Sequence, residues 1–377
     1  MPQFSNSIGN ISSGQLGVYV ACVLLSASIS SLCSGHIADV ISRKYGILVG
    51  GLIVAVGTII SASANNFPAL ICARLITGIG QGQSISVVTI YLCEIAPQNI
   101  RGTVATMLQL LITIGIAAGY FIAYGSSRLD SSLAWRIPFI AEACVAAILS
   151  IGMAFVPFSP RWLVQRGRFQ EARQVLSRLR QTENVDEELQ GIRGSLEEKG
   201  TQQATFSEVF SKRYIRRSLL GIFLMGFQML CGVGVDLSHI HRNPFHLHPH
   251  RCVLCLGQID AVLYYAPILF TQAGFSSQRA SFLASGISGI INLVFTIPAQ
   301  FCVDKWGRKF PLIGGGIAMA SCFLAIGSIY AAQGGKANGE VHLNGKPSQW
   351  AVIILIYMFV ANFAWSWAVV SSQDYFA

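Results

Sequence analysis

The apolar residues of this chain fall into long blocks, at about residues 16–34, 45–64, 69–92, 103–125, 137–157, 281–302, 310–332 and 350–370. Each is close to the roughly 20 residues that a helix needs to cross about 30 Å of hydrocarbon, so the pattern predicts a series of membrane helices. Most blocks are rich in Gly, Ala and Ser, which let such helices approach closely. A further block opens at Ser218, loses its apolar character after Cys231 and regains it at Ile259. Counted as one interrupted span, it brings the expected total to nine.

Composition agrees with this pattern. Of the 377 residues 53% are hydrophobic and 11% charged, too apolar a balance for two or three soluble domains. The fold class expected is an all-α polytopic membrane protein. The net charge of +9 reports topology: of the 26 Lys and Arg residues, 12 lie between Arg161 and Arg217, and Arg43, Lys44, Arg101, Lys305, Arg308 and Lys309 lie in short loops. These stretches alternate with loops poor in Lys and Arg, so the positive-inside rule assigns them to the cytoplasm. No nucleic-acid partner is expected. The same orientation puts the N-terminus outside, yet Met1 to Gln15 contains neither a charged n-region nor an apolar h-region. One further helix before residue 1 is therefore expected. Eight of the ten cysteines lie in or beside apolar windows, so no disulfide framework is implied.

One loop occurs twice. GHIADVISRKYG, residues 35–46, ends one span and begins the next, and CVDKWGRKF, residues 302–310, does the same near the other end of the chain. Both present an acid, Asp39 or Asp304, and then a basic pair, Arg43 with Lys44 or Arg308 with Lys309. One copy alone is an ordinary positive-inside loop. Two copies favour an internal duplication, the construction of many secondary transporters, with a substrate site at the midplane between the halves.

With these residues in place the chain resembles the sugar porter family of the major facilitator superfamily, whose pattern has a D-R-x-G-R-R loop in each half. The run R-x-x-x-G-x-G-x-G is matched by Arg74 to Gly82, Y-x-x-E-x-A-P by Tyr91 to Pro97, and R-G by Arg101 with Gly102. The family's P-E-S-P-R-W-L appears as PFSPRWL, residues 157–163, with Phe158 in place of the acid. The resemblance implies two pseudo-symmetric helical bundles and covers the family's second to tenth helices, from about Gln15 to Trp367. Glu94 and Arg101 flank Pro97, where charge-assisted hydrogen bonds could lock the cytoplasmic side, although an exposed pair would contribute only about 0–1 kcal/mol. Arg74 lies inside a span, where an unpaired charge costs at least about 2.5–3.5 kcal/mol, and should face a cavity or meet a carboxylate. In proton-coupled members the matching arginine faces an aspartate on the first helix. Glu142, also inside a span, either titrates or is an acid near a helix end that reaches the surface.

A polyhydroxylated substrate needs side chains that both donate and accept, which favours Gln and Asn, and aromatic faces to cover its ring. Gln109, Gln228, Asp260, Tyr264, Tyr265 and Asn292 are the intramembrane candidates, each of which could equally bond a neighbouring helix. The resemblance implies substrate contacts for Gln109, Gln228, Asp260 and Asn292, and an outer gate at Tyr264 with Tyr265. Met229 and Asp260 depart from the family's common residues, which leaves a hexose favoured and a pentose, polyol, disaccharide or quinate-like acid open.

Residues 233–258 hold five of the seven histidines, followed by Cys252 and Cys255, which by themselves suggest a zinc or copper site. The block also interrupts a span. Its removal joins Cys231-Gly232 to Ile259-Asp260 and restores the family's F-Q-Q-L-x-G-I-[ND]-x-x-x-Y-Y, and its edges are compatible with GT and CAG codons, so a retained-intron insertion is favoured over a metal site. The FAWSWA run, residues 363–368, begins like the family's tenth helix and then departs from it. The organisation expected is a bundle at 1–157 lacking its first helix, a cytoplasmic linker with short helices at 158–217, as in the amphipathic FQEARQVLSRLR, and a bundle at 218–377 lacking its last two helices. The function expected is non-enzymatic, cofactor-free transport of a sugar or polyol by alternating access, facilitated or proton-coupled. It is carried out by a monomer in the lipid bilayer of the plasma membrane. A transporter-like nutrient receptor and a nonfunctional truncated fragment are the alternatives.

Overall fold

The computed structural model describes residues 2–9, 11–97, 101–197, 278–306, 309–337, 340–343 and 345–368, with single positions at 211, 215 and 219. In chain order the elements are α1 (Pro2–Ile8), α2 (Ser13–Ile41), α3 (Arg43–Ser63), α4 (Phe67–Ile95), α5 (Arg101–Ser126), α6 (Leu133–Phe155), α7 (Pro160–Gln165), α8 (Phe169–Arg180) and α9 (Asp186–Glu197). Then come α10 (Gln278–Trp306), α11 (Lys309–Gln333), the strands β1 (Gly334–Ala337) and β2 (Glu340–Leu343), and α12 (Lys346–Trp365). The helical membrane class holds, with one addition: β1 and β2 form a short antiparallel hairpin between α11 and α12. Among the described residues seven helices are long and apolar enough to cross a membrane. A further helix, α4, has the length, but Arg74, Gln81, Gln83 and Ser84 interrupt its apolar run. The interrupted span and the 233–258 block lie outside the described residues, as do Gln228, Asp260, Tyr264 and Tyr265.

Local chemistry sets the helix starts. Ser12 and Gln15 form a capping box, Gln15 N–H donating to Ser12 Oγ at 3.3 Å and Ser12 N–H to Gln15 Oε1 at 2.9 Å. Asn66 caps α4, accepting from Ala69 N–H at 2.9 Å, and Pro68 follows where a missing N–H costs nothing. Ser42 both ends α2 and caps α3: its N–H donates to Ala38 O at 3.2 Å, and its Oγ accepts from Tyr45 N–H at 3.3 Å. Its φ is +116°, in backbone space that favours glycine. Position 42 is where D-R-x-G-R-R has glycine, and the second copy keeps it as Gly307.

The chain divides into two compact units, Met1–Ala105 with Gly125–Gln202, and Thr106–Tyr124 with Gln203–Ala377. In the first unit α4 packs against both α2 and α3, and its G-x-G-x-G run serves both contacts. A Cβ on Gly78 or Gly82 would strike the carbonyls of Val23 or Ala27 on α2, whereas one on Gly80 would strike Gly50 and Val54 on α3. Glycines two apart on a helix point to nearly opposite sides, so one run gives close approach on two faces. Gly51 does the same for α3 against Ala146 and Ser150 of α6. Large apolar side chains such as Leu25, Leu32, Val145 and Ile148 are turned outward, as a lipid solvent requires. The short helices α7–α9 belong to this unit and pack on a core of Trp162, Leu163, Val164 and Ala172.

In the second unit Val352, Ile356, Phe359 and Val360 of α12 bury themselves with Met319 and Tyr330 of α11 and Ala284 of α10. Phe323 meets Phe359 edge to face at 4.6 Å between ring centroids. Gly286 and Gly289 of α10 take the Phe121 ring and Ala117 of α5, which sets those two helices antiparallel.

The Ser42 turn yields a direct test. A serine at this φ costs about 1–3 kcal/mol, and its cap hydrogen bond is worth only a few tenths more than glycine's. Ser42→Gly should therefore stabilise the protein by about 1 kcal/mol, read as a raised unfolding midpoint in detergent. A lowered midpoint would show that the turn is held for its side chain.

Candidate functional site

Polar side chains converge at two places in the first unit. The first is the end that carries the basic pair Arg43 and Lys44. Arg43 pairs with Asp39 (Nη1 to Oδ1, 2.8 Å) and with Glu94 (Nε to Oε2, 3.0 Å), and donates to Ala38 O at 3.2 Å. The Arg43 and Glu94 side chains are only 9% and 7% exposed, so each requires the other. Ser159 Oγ donates to Glu94 Oε2 at 2.5 Å while accepting from Trp162 N–H at 3.3 Å, so one hydroxyl caps α7 and ties it to α4. Tyr91 donates its hydroxyl to Pro157 O at 2.6 Å. Asp39, Arg43 and Glu94, expected from the sequence, thus form one network.

The last carbonyls of a helix have no partner within it and carry partial negative charge. At this end cations and an indole take them up. Trp162 Nε1 donates to Asp39 O at 3.0 Å and Arg166 Nη2 to Asp39 O at 3.0 Å and Val40 O at 2.6 Å, closing α2. Arg180 Nη1 donates to Ile95 O at 3.0 Å on α4, its other nitrogens holding Glu188 in two bonds. Lys44 Nζ donates to Ala154 O at 2.8 Å on α6. Three membrane helices are therefore held at their ends by α7, α8 and the α2–α3 turn.

The second place is inside the helices. The Arg74 guanidinium lies over the Tyr19 ring at 4.4 Å and the Phe139 ring at 5.5 Å. Its Nε is buried without a hydrogen-bond partner, and it acts electrostatically on the Glu142 carboxylate, which accepts from Gln81 Nε2 at 3.2 Å. Arg74 and Glu142 make no contact ion pair; the guanidinium rests on aromatic faces and the carboxylate on Gln81. Glu142 is not the acid near a helix end that the apolar block suggested: α6 begins at Leu133, which leaves this residue well inside the helix. Tyr19, Gln81, Phe139, Ser159, Trp162, Arg166 and Arg180 were not singled out from the sequence. The signal for Gln81 was an amide set between the glycines of an apolar run.

In the second unit Asn292 of α10 is 2% exposed and its Oδ1 is buried without a hydrogen-bond partner. Gln109 is half-buried on α5, the helix that α10 packs against. Arg101 begins α5, Asp304 lies in the last turn of α10 and Lys309 begins α11; their side chains, and Arg308 altogether, lie outside the described residues.

The family model of sugar (and other) transporters matches residues 2–235 and 250–373. Sugar transport protein MST3 of Oryza sativa subsp. japonica is 30% identical over 356 residues, which is 93% of this chain and 62% of that protein. Sugar transport protein 4 of Arabidopsis thaliana is 31% identical over 354 residues, 93% of this chain and 63% of that protein. The chain therefore spans less than two thirds of the length of these relatives. A partially occluded inward-open structure of the xylose transporter XylE from E. coli superposes with a TM-score of 0.74 at 25% identity, over 99% of this chain and 78% of that one.

Removing one member of the buried pair should be costly. Glu94→Gln leaves Arg43 with Asp39 alone and should destabilise the protein by about 2–3 kcal/mol. Arg173→Gln breaks a pair with Asp186 whose side chains are 55% and 53% exposed, and should cost under about 1 kcal/mol. Equal losses in thermal unfolding would contradict the assignment of the first pair as structural.

Proposed function

Since this chain belongs to the sugar transporter family of the major facilitator superfamily, as a multi-pass membrane protein, we propose that it carries a sugar across the plasma membrane by alternating access, coupled to protons. The observation that carries the coupling is Glu142 beside Arg74 within the helices. A buried ion is expensive in a membrane and is retained where it works. Arg74 gives the ionised carboxylate a counter-charge and Gln81 gives it a hydrogen bond; when Glu142 takes up a proton, the charge left in the bundle is the guanidinium. Tyr19 and Phe139 hold the guanidinium by their ring faces in either state.

The substrate class follows from the amides. Asn292 offers a buried acceptor with no partner, which a sugar hydroxyl can satisfy, and Gln109 on the neighbouring helix can donate and accept. Gln228, Asp260, Tyr264 and Tyr265 would complete the site, with a hexose favoured. The basic end that carries Arg43, Lys44 and α7–α9 faces the cytoplasm, in line with the distribution of Lys and Arg, and joins the bundle at 1–157 to that at 218–377. The relatives named above are sugar transport proteins, and a 24% identical structure with a TM-score of 0.75 is that of a proton:xylose symporter bound to 6-bromo-6-deoxy-D-glucose, which supports the fold.

Residues 233–258 are an insertion from a retained intron in this reading. It is supported by the family match, which stops at residue 235 and resumes at 250. Sequencing of cDNA should recover transcripts lacking those codons in frame; transcripts that uniformly contain them would refute the insertion.

Labelled hexose uptake into proteoliposomes, with and without residues 233–258, tests the transport reading. Saturable uptake is expected, with accumulation of up to about tenfold per pH unit of inward proton gradient and collapse on adding a protonophore. Glu142→Gln should abolish accumulation and retain sugar exchange. Accumulation unchanged in Glu142→Gln would place coupling elsewhere, and no saturable uptake of hexose, pentose or polyol by either version would overturn transport by this chain.

A further inference from the structure

Where the family pattern has an acid in P-E-S-P-R-W-L, this chain has Phe158, and its ring is enclosed. It stacks on Trp162 at 5.6 Å with the planes 18° apart, and meets Tyr45 edge to face at 5.7 Å. Lys44 Nζ lies 5.0 Å from the ring centroid and the Arg168 guanidinium carbon 5.9 Å. The same ammonium donates to Ala154 O at the end of α6. Among the described residues Lys44 makes no ion pair. Its charge is answered by a helix-end carbonyl and by aromatic faces, that of Phe158 at 5.0 Å and that of Tyr45 at 5.9 Å.

We propose that Phe158 is a positioning residue of the basic-end latch: by holding Lys44 through a cation–π contact and stacking on Trp162, it docks α7 on the turn between α2 and α3. Beside the Trp162 and Arg166 bonds to the end of α2, the latch then has two parts of different chemistry. One is the buried Arg43–Glu94 pair, tied to α7 by Ser159. The other is an aromatic clamp in the place where an acid at position 158 would set a second, partly exposed ion pair against Lys44. A partly exposed ion pair attracts through two net charges and weakens in salt, because the Debye length falls from about 10 Å at 0.1 M to about 3 Å at 1 M. A ring face in contact with an ammonium carries no net charge and acts only at contact range. This half of the latch therefore holds α7 nearly independently of ionic strength.

Amide hydrogen exchange of the full chain in nanodiscs tests this without requiring transport. The amides of residues 161–165 report on α7, and those of α3 and α4 serve as the internal reference. In the wild type, α7 exchange should change little between about 0.05 and 0.5 M NaCl, where screening deepens more than twofold. Phe158→Leu and Lys44→Met should each accelerate it by about 2- to 30-fold. The double variant should fall short of the product of the two single effects, because the Lys44–Phe158 contact can be lost only once. Phe158→Tyr should retain wild-type exchange. Phe158→Glu should restore protection in low salt and lose it in high salt. Additive effects of Phe158→Leu and Lys44→Met in the double variant would overturn the proposal, as would α7 exchange unaltered by Lys44→Met. If Phe158→Leu does not fold, Lys44→Met and Phe158→Tyr decide alone: slow exchange in the former or fast exchange in the latter refutes the clamp.

Discussion

A charge removed from water must be answered by another group, and in the first unit this constraint acts at both polar centres. Arg43 and Glu94 answer each other almost out of solvent at the basic end, while within the helices Arg74 is answered by the Tyr19 and Phe139 rings and Glu142 by the Gln81 amide. The two solutions differ in kind. The first is a contact ion pair reinforced by Asp39 and Ser159, suited to holding helices in register. In the second, the guanidinium rests on the faces of Tyr19 and Phe139 while the carboxylate is held by Gln81. The two charges make no contact ion pair, so each is held by a neutral partner of its own.

Both centres depend on α4, which supplies Arg74, Gln81 and Glu94 from one helix. For those side chains to reach α2, α3 and α6, the helix must come close to its neighbours. Gly78, Gly80 and Gly82 provide that approach on two faces, and any Cβ there would meet backbone. The glycine run and the charges are thus one device: the first sets the distance over which the second act. The ends of the helices are then closed by Trp162, Arg166 and Arg180, so the packing of α7 and α8 follows from unsatisfied carbonyls as much as from apolar burial.

The helices were legible because the bilayer imposes a length on apolar runs, but their ends were not. The block at 16–34 belongs to a helix running from Ser13 to Ile41, since hydropathy measures the hydrocarbon crossing and the helix continues past it. The same effect kept a place near a helix end open as one of two readings of Glu142, because its block starts at residue 137 and the helix at Leu133. Partners at a distance were less legible still. The sequence pairs Glu94 with Arg101, its neighbour across Pro97, whose side chain lies outside the described residues, and gives no sign of Arg43 and Ser159, which packing brings to Glu94 from elsewhere in the chain. The hairpin after α11 does have a sequence signal, Asn338-Gly339 between the two strands, the pair most typical of a two-residue hairpin loop, but it is masked by the apolar blocks on either side. Asp39, Arg43 and Arg74 could be named because a charge near or inside an apolar block is informative wherever its partner lies.

The departures from the loop and linker motifs fall together at the basic end: Val40 for an arginine, Ser42 for a glycine, Phe158 for an acid. Losing an acid alone would leave the basic end with a surplus cation, and losing an arginine alone a surplus anion. Losing both keeps the balance of charge and frees the site for contacts of another type. Val40 still contributes its carbonyl, which Arg166 takes at 2.6 Å, and Phe158 contributes its ring to Lys44. Ser42 replaces the freedom of glycine with a hydroxyl that caps α3 while the backbone remains at +116°. A hydroxyl thus stands where the turn motif has no side chain and an aromatic face where the linker motif has a charge, while the main-chain carbonyl at position 40 serves whatever the side chain, so the geometry of the turn persists although two of its motif residues, at 40 and 42, have changed.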